Sequence, residues 1–150
     1  MGTSIDNRQR RVAIDTRTIR RMVRKILNAL GYPGHEVSIV LVDDREITHL
    51  NRQYFRRNRP TNVISFPMTS GEPTFISDQV LGDVVLSAET AQRQATAAGK
   101  KTEDEIVFLL IHGILHLVGY DHEGSREERR RMEEKEEELF SLLTKASRQR

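Results

Sequence analysis

The chain has 150 residues, which suits one domain with one hydrophobic core, and its formal net charge is only +2. Residues 1–11 are polar and basic, unlike a secretory signal, and the longest apolar stretch, residues 106–118, is too short to span a bilayer. The chain contains no cysteine. We therefore expect a cytoplasmic protein with no membrane anchor and no disulfide framework.

Hydrophobic periodicity and capping residues predict alternating strands and helices in the first half of the chain. The predicted elements are a flexible segment at 1–10, a short strand at 11–15, a helix at 16–30, a buried strand at 36–42 and a helix at 44–54. We expect Gly31 to end the first helix and Asp44 to cap the second.

The second half continues the alternation. Its predicted elements are a strand at 62–66, a loop at 69–78, a strand at 80–86, a helix at 87–98, a helix from Thr102 and a C-terminal helix at 124–146. Prolines on both sides of the 62–66 strand place it at or near a sheet edge, or at the end of a strand. Capping boxes, Thr102 with Glu105 and Ser125 with Glu128, are predicted to open the last two helices. The pattern predicts a single α+β domain, 1–150, in which helices cover a small mixed sheet.

Three histidines, His112, His116 and His122, have the spacing of metal ligands. Residues i and i+4 lie on one face of a helix, and Gly119 allows the chain to turn and bring His122 back. Single histidines in such an apolar run are usually hydrogen-bonded core residues, but three at this spacing favour a metal site. Three ligands that leave one position open are typical of catalytic zinc.

The same histidine spacing occurs in metzincin proteases, in which a glutamate directly after the first histidine is the general base. Here that position is Gly113, which cannot take a proton. The sequence therefore predicts a protease-like ligand frame without the protease base.

Two segments resemble the signatures of the YbeY family of bacterial metal-dependent endoribonucleases. Residues 112–122, HGILHLVGYDH, resemble one signature, and residues 60–67, PTNVISFP, preceded by Leu50 and Asn51, resemble the other. The resemblance implies a zincin-like fold with the ligand helix in the C-terminal third, and zinc held by the three histidines. It also implies cleavage of single-stranded RNA in 3′-end maturation of small-subunit ribosomal RNA and in ribosome quality control, with ribosome-associated partners.

One position departs from the family pattern: Phe55 stands where the family usually carries an arginine that helps at the phosphate. Either a neighbouring arginine supplies the charge, or this member holds the phosphate less firmly. We take Arg56 and Arg57 as candidate catalytic residues, and Arg52 and Arg59 as candidate RNA contacts.

Positive charge is concentrated in two clusters. The cluster within residues 8–25 fits RNA contact or a solvated face equally well, whereas the four arginines at 52–59 lie beside a signature loop and favour RNA contact. The alternating charges of residues 127–138 are typical of a solvated helix face, to which we assign no function.

Four further residues are candidates for the site. Asp121 could orient an imidazole or act as an auxiliary base, or it could simply form a turn. Thr61, Asn62 and Ser65 could donate hydrogen bonds in the cleft, although Asn62 also suits the turn after the proline. The attacking group would be a metal-activated water or the 2′-hydroxyl of the RNA.

Two other functions remain open at this point. One is a metal-dependent peptidase or other hydrolase, which needs a base to replace Gly113. The other is a non-enzymatic RNA-binding assembly factor that keeps its metal for stability. Zinc is the expected ion, although imidazole also accepts other divalent transition metals.

Overall fold

A computed structural model describes residues 3–68 and 80–148, with side chains as far as Thr144. The elements are β1 (Ser4–Asn7), α1 (Thr16–Ala29), β2 (Glu36–Val42), α2 (Asp44–Phe55), β3 (Val63–Pro67), β4 (Val80–Ser87), α3 (Ala88–Ala97), α4 (Thr102–Leu117) and α5 (Arg126–Arg148). The predicted α+β class is confirmed, and the loop predicted at 69–78 lies outside the described residues. Within those ranges, no helix has the length and apolar character needed to cross a bilayer.

The four strands form one mixed sheet in the order β1-β2-β4-β3. β2 pairs in parallel with β1 and with β4, whereas β3 pairs with β4 in the antiparallel direction. β3 is therefore an edge strand, as its flanking prolines predict.

Helices cover both faces of the sheet because side chains of each strand alternate between the faces. On one face Ile39 and Leu41 of β2 join the main core, which α1, α3, α4 and α5 also enter. On the other face Val42, Ile64 and Val85 pack with Ile47 of α2 in a smaller cluster.

Helix α4 lies in the centre of the main core and is buried on most of its surface. Leu110, Ile111, Ile114 and Leu115 are fully buried, whereas His112 and His116 are only partly buried. The apolar neighbours of the two histidines therefore fix the helix from several sides, and the imidazoles project from its remaining stripe.

The start of the chain differs from the prediction. Residues 1–10 were expected to be flexible, but Ser4–Asn7 forms β1 beside β2. The strand predicted at 11–15 is wrong. The buried Gln9 side chain instead accepts hydrogen bonds from the backbone N–H groups of Arg11 and Val12, at 3.0 and 2.9 Å, and so takes the place of a strand partner.

Two predicted helix caps are also wrong, and one is confirmed. Asp43, not Asp44, caps α2, because its carboxylate accepts from the backbone N–H of Glu46 at 2.9 Å. Helix α4 begins after Lys101, which makes no side-chain cap, so Thr102 is not a capping residue. Ser125 caps α5 as predicted, because its hydroxyl accepts from the N–H of Glu128. The Glu128 carboxylate accepts from that hydroxyl and not from the backbone N–H that a complete capping box uses.

Candidate metal centre

The three predicted ligands meet at one point on the surface of the domain. His112 and His116 lie one turn apart on α4, and Gly119, with φ of 102°, adopts the left-handed conformation just after the helix. The N–H of Tyr120 donates back to the carbonyl of Leu115 at 3.0 Å, which closes the helix end. The turn brings the His122 ring within 5.0 Å of the other two, measured between centroids.

The arrangement of ring nitrogens fits a transition-metal ion. The ligand atoms of the three histidines lie within 4.8 Å of one another, and His116 Nε2 is 2.8 Å from His122 Nδ1. Two imidazole lone pairs repel at this distance unless a proton or a cation lies between them. Nitrogen atoms bound tetrahedrally to zinc are roughly 3.3 Å apart, which lies between this distance and the 4.8 Å limit for the whole set.

The environment of His116 favours the neutral, ligand form of its ring. Burial lowers its pKa below the usual value of 6.5, and the neighbouring rings of His112 and His122 lower it further when they are protonated. Asp121 and Glu136 act in the opposite direction, but more weakly.

Glu136 of α5 contacts His112, the first predicted ligand, and was not among the predicted site residues. Its carboxylate lies 2.6 Å from His112 Nδ1, and the residue is only 6% exposed. Because a carboxylate accepts, Nδ1 carries the hydrogen and Nε2 keeps its lone pair for a metal. One signal was available: Glu136 falls in the apolar stripe of Met132, Leu139 and Leu143, where a charged residue is unusual.

Gly113 permits the ligand helix to pack closely against the sheet. A Cβ atom at this position would lie 2.7 Å from Val84 Cγ1 and 3.2 Å from Ser65 Oγ. The Ser65 hydroxyl donates to the Gly113 carbonyl at 2.9 Å, which ties edge strand β3 to α4. The structure therefore leaves no space for a glutamate at the position of the metzincin base.

A cleft of about 470 Å³ opens beside the histidines. The predicted site residues that line it together with the three histidines are Arg57, Thr61, Asn62 and Ser65. Asn51, Phe55 and Glu123 line it as well and were not predicted to belong to the site. Asn62 also holds its own turn, because its side chain accepts from the N–H of Val63 at 2.7 Å and donates to Gln94 at 3.2 Å.

Four predicted site residues lie outside the lining of this cleft. Arg52 is beside His49, 3.4 Å away, at a separate surface cavity. The carbonyl of Arg59 accepts from the Asn51 side chain at 2.9 Å. Asp121 accepts from the N–H of Glu123 at 2.9 Å, which is the turn-forming role considered above.

Arg56, the fourth, adopts the left-handed conformation with φ of 57° and ends α2. Its N–H donates to the carbonyl of Arg52 at 3.0 Å, which is the single bond of an αL helix end, and the N–H of Arg57 donates to the carbonyl of Asn51 at 3.3 Å. The turn places Arg57, rather than Arg56, in the wall of the cleft.

Comparison with known proteins agrees with this geometry. A family model described as Endoribonuclease YbeY matches residues 4–144. The chain is 50% identical over 144 residues to Endoribonuclease YbeY of Geobacter metallireducens, covering 95% of this chain and 96% of that protein. It is 51% identical over 144 residues to the protein of the same description from Geobacter sulfurreducens, with the same coverage.

A solved structure has the same fold. The solution structure of a Thermotoga maritima protein aligns with a TM-score of 0.70 at 25% identity, covering 98% of this chain and 92% of that one. Together with the histidine cluster and the cleft, these matches show that the chain belongs to the YbeY endoribonuclease family.

Proposed function

We propose that this protein is a cytoplasmic endoribonuclease that cleaves single-stranded RNA, and that it acts in 3′-end maturation of small-subunit ribosomal RNA and in ribosome quality control. The observation that carries the nuclease activity is the position of three convergent imidazoles at one side of a cleft that also presents Arg57. The family supports RNA as the substrate. The ribosomal role and ribosome-associated partners rest on the family resemblance.

Zinc is the proposed ion, and His112, His116 and His122 are its proposed ligands. When bound, zinc supplies a Lewis acid that polarises a phosphoryl oxygen and lowers the pKa of water toward neutrality. Other divalent transition metals also accept imidazole, so nickel, iron or copper could occupy the same ligands.

The chain itself contributes orientation. Glu136 accepts the Nδ1 hydrogen of His112 and so holds that ring in one tautomer. We assign this role to Glu136 in place of Asp121, whose carboxylate holds the turn before Glu123. Ser65 fixes β3 against α4, which sets the width of the cleft beside the ligands.

Positive charge in the cleft lining and near it is proposed to bind the RNA backbone. Arg57 lines the cleft and is the candidate for the charge on the scissile phosphate. Arg52, Arg56 and Arg59 are exposed nearby and are proposed to add sequence-independent affinity along the strand. Thr61 and Asn62 present hydrogen-bonding groups to the same cleft.

Two attacking groups, water and the RNA 2′-hydroxyl, are consistent with this site and give different products. Attack by the 2′-hydroxyl leaves a 2′,3′-cyclic phosphate, whereas attack by water also cleaves a substrate that is 2′-deoxy at the cut. Analysis of the product ends from a matched pair of ribo- and 2′-deoxy-substituted oligonucleotides separates the two.

The decisive test compares metal content and cleavage of a defined single-stranded RNA between the parent and His116→Ala. We expect the parent to hold equimolar metal and to cleave, and His116→Ala to lose both while remaining folded. His35→Ala is the matched control, because His35 is a histidine outside the metal cluster. A folded His116→Ala variant that cleaves like the parent would refute the proposal.

The two rival functions predict other results. A peptidase requires a base, and Glu123, which lines the cleft, is the candidate that replaces Gly113. Turnover of an unstructured peptide that Glu123→Gln abolishes would support that reading. Unchanged RNA binding and unchanged biological rescue by His112→Ala would instead support a non-enzymatic assembly factor.

A further inference from the structure

Phe55 presents an aromatic ring to the cleft beside the metal ligands. It is the last residue of α2, its side chain lines the cleft with the three histidines, and the residue is 50% exposed. Tyr54 is similarly exposed, at 57%, but its ring packs edge-on against Phe66, with centroids 5.1 Å apart, and does not line the cleft. Single exposed apolar side chains are common on protein surfaces, so exposure alone does not distinguish the two residues. Phe55 differs from Tyr54 in its position, because it lines the cleft that contains the three histidines.

The backbone on both sides of Phe55 is fixed. The left-handed turn at Arg56 ends the helix directly after it, and the buried Asn51 side chain donates to the carbonyl of Arg59 at 2.9 Å. The backbone that carries Phe55 is thus held in place from two sides. With the backbone fixed, only the two side-chain torsions of Phe55 remain to be ordered when a planar group stacks on its ring.

Arg57 lines the same cleft two residues away. Proteins that bind single-stranded nucleic acids combine cationic side chains, which follow the backbone, with aromatic rings, on which bases stack. A base inside a duplex is already stacked on its neighbours, whereas the face of an unpaired base is free to stack on an aromatic side chain.

We propose that Phe55 is a base-stacking subsite for a nucleotide next to the scissile phosphate, and that this contact helps the protein to select single-stranded RNA. The proposal rests on the proposed nuclease function and names a recognition residue within it. Stacking on a phenyl ring depends little on base identity, so the subsite selects for an unpaired base and not for a sequence.

The test is a scan with a single-stranded RNA in which one base at a time is replaced by an abasic ribose. The parent, Phe55→Leu and Phe55→Trp are compared by kcat/KM and KM for each substrate. Leucine keeps apolar volume and removes the ring, whereas tryptophan keeps a ring. Tyr54→Leu is the matched control, since Tyr54 is an equally exposed aromatic residue outside the cleft.

In the parent, loss of the stacked base is expected to lower kcat/KM about fivefold or more at one position beside the cut. In Phe55→Leu the same abasic substitution should cost less than about twofold, because the ring that the base contacts is already gone. Phe55→Trp and Tyr54→Leu should keep the parental penalty. Metal content of each variant reports whether the ligand site is intact.

An abasic penalty that is equally large in the parent and in Phe55→Leu would overturn the subsite. That outcome would leave cleavage and its dependence on His116 intact, so it differs from failure of the proposed function. If the parent shows no metal-dependent RNA cleavage, both proposals fall together.

Discussion

His112 and His116 project from a helix that is buried on most of its surface, whereas Phe55 and Arg57 project from an exposed helix end. On the first wall, side-chain contacts hold the functional groups: Glu136 fixes an imidazole, and Ser65 fixes the helix against the sheet. On the second wall the turn at Arg56 and the Asn51–Arg59 hydrogen bond hold the backbone, and Phe55 and Arg57 line the cleft. Substitutions on the first wall, called here the metal wall, should therefore alter metal affinity and stability, whereas those on the second wall should alter RNA binding.

The largest effect is expected from removal of the carboxylate on the metal wall. Glu136→Ala should weaken zinc binding by about 10- to 100-fold, because the His112 ring loses the acceptor that sets its tautomer and orientation. Glu136→Gln keeps an oxygen acceptor without the charge, so its zinc affinity should lie between those of Glu136→Ala and the parent. Competition with a chelator of known affinity measures the difference.

The control for that experiment is Glu137→Ala, which removes the adjacent, exposed carboxylate of the same helix. It should bind zinc like the parent. If Glu136→Ala and Glu137→Ala lost equal zinc affinity, the net charge of α5, and not the contact with His112, would set that affinity.

Close packing at Gly113 predicts a loss of stability on the same wall. Gly113→Ala places a methyl group 2.7 Å from Val84 Cγ1. The steric cost is partly offset because alanine favours the helix over glycine by about 1 kcal/mol, so the net free energy of unfolding should fall by about 1–2 kcal/mol. Thermal and urea denaturation measure the change. The double variant Gly113→Ala/Val84→Ala should lose less than the sum of its single variants, and strict additivity would contradict the steric explanation.

On the second wall, Arg57→Ala should weaken RNA binding severalfold. It should also reduce the slope of the logarithm of the RNA-binding constant against the logarithm of the salt concentration by about 0.7, the value for one phosphate contact on a single strand. Metal content should not change. Arg56→Ala is the matched control, because Arg56 lies outside the cleft lining. A larger effect of Arg56→Ala would reverse the assignment of the phosphate-binding arginine.

The smallest effect is expected at Asp44, which lies on neither wall, and is a pH-dependent change in stability. Partial burial raises the pKa of Asp44, but hydrogen bonds from Thr90, Arg93 and Ser87 outweigh this and lower it below the usual value of 3.8. The stability that ionised Asp44 contributes is therefore present above pH 3.8 and is lost as pH falls through its lower folded pKa. Asp44→Asn should be less stable than the parent at pH 7, and the difference in melting temperature should shrink in acid. A constant difference from pH 7 to pH 2 would contradict this linkage.

Local patterns were sufficient to predict that the three histidines cluster. The i, i+4 spacing of His112 and His116 and the conformational freedom of Gly119 act within a few residues, so the sequence alone places the three rings together. The bounds of β2 and the helical stretch of α1 follow for the same reason, because each carries a clear hydrophobic period.

Contacts between distant segments could not be predicted from local patterns. Glu136 lies 24 residues from His112 and looks like one more acid in a charged helix until α5 packs against α4. Asp43 and Asp44 are equally good caps by residue type. The Asp44 carboxylate, however, accepts hydrogen bonds from Ser87, Thr90 and Arg93. Strand β1 has Ile5 as its single apolar residue, so its strand conformation depends on pairing with β2.

The Glu136–His112 hydrogen bond makes the proposed metal site depend on how α5 docks. The three imidazoles come together by folding within residues 112–122, whereas Glu136 lies 24 residues from His112 and reaches it only from a separate helix. Detachment of α5 would therefore leave all three rings in place and remove the carboxylate that holds one of them. If the histidines bind an ion as proposed, local opening of α5 should release it more readily than opening elsewhere in the domain.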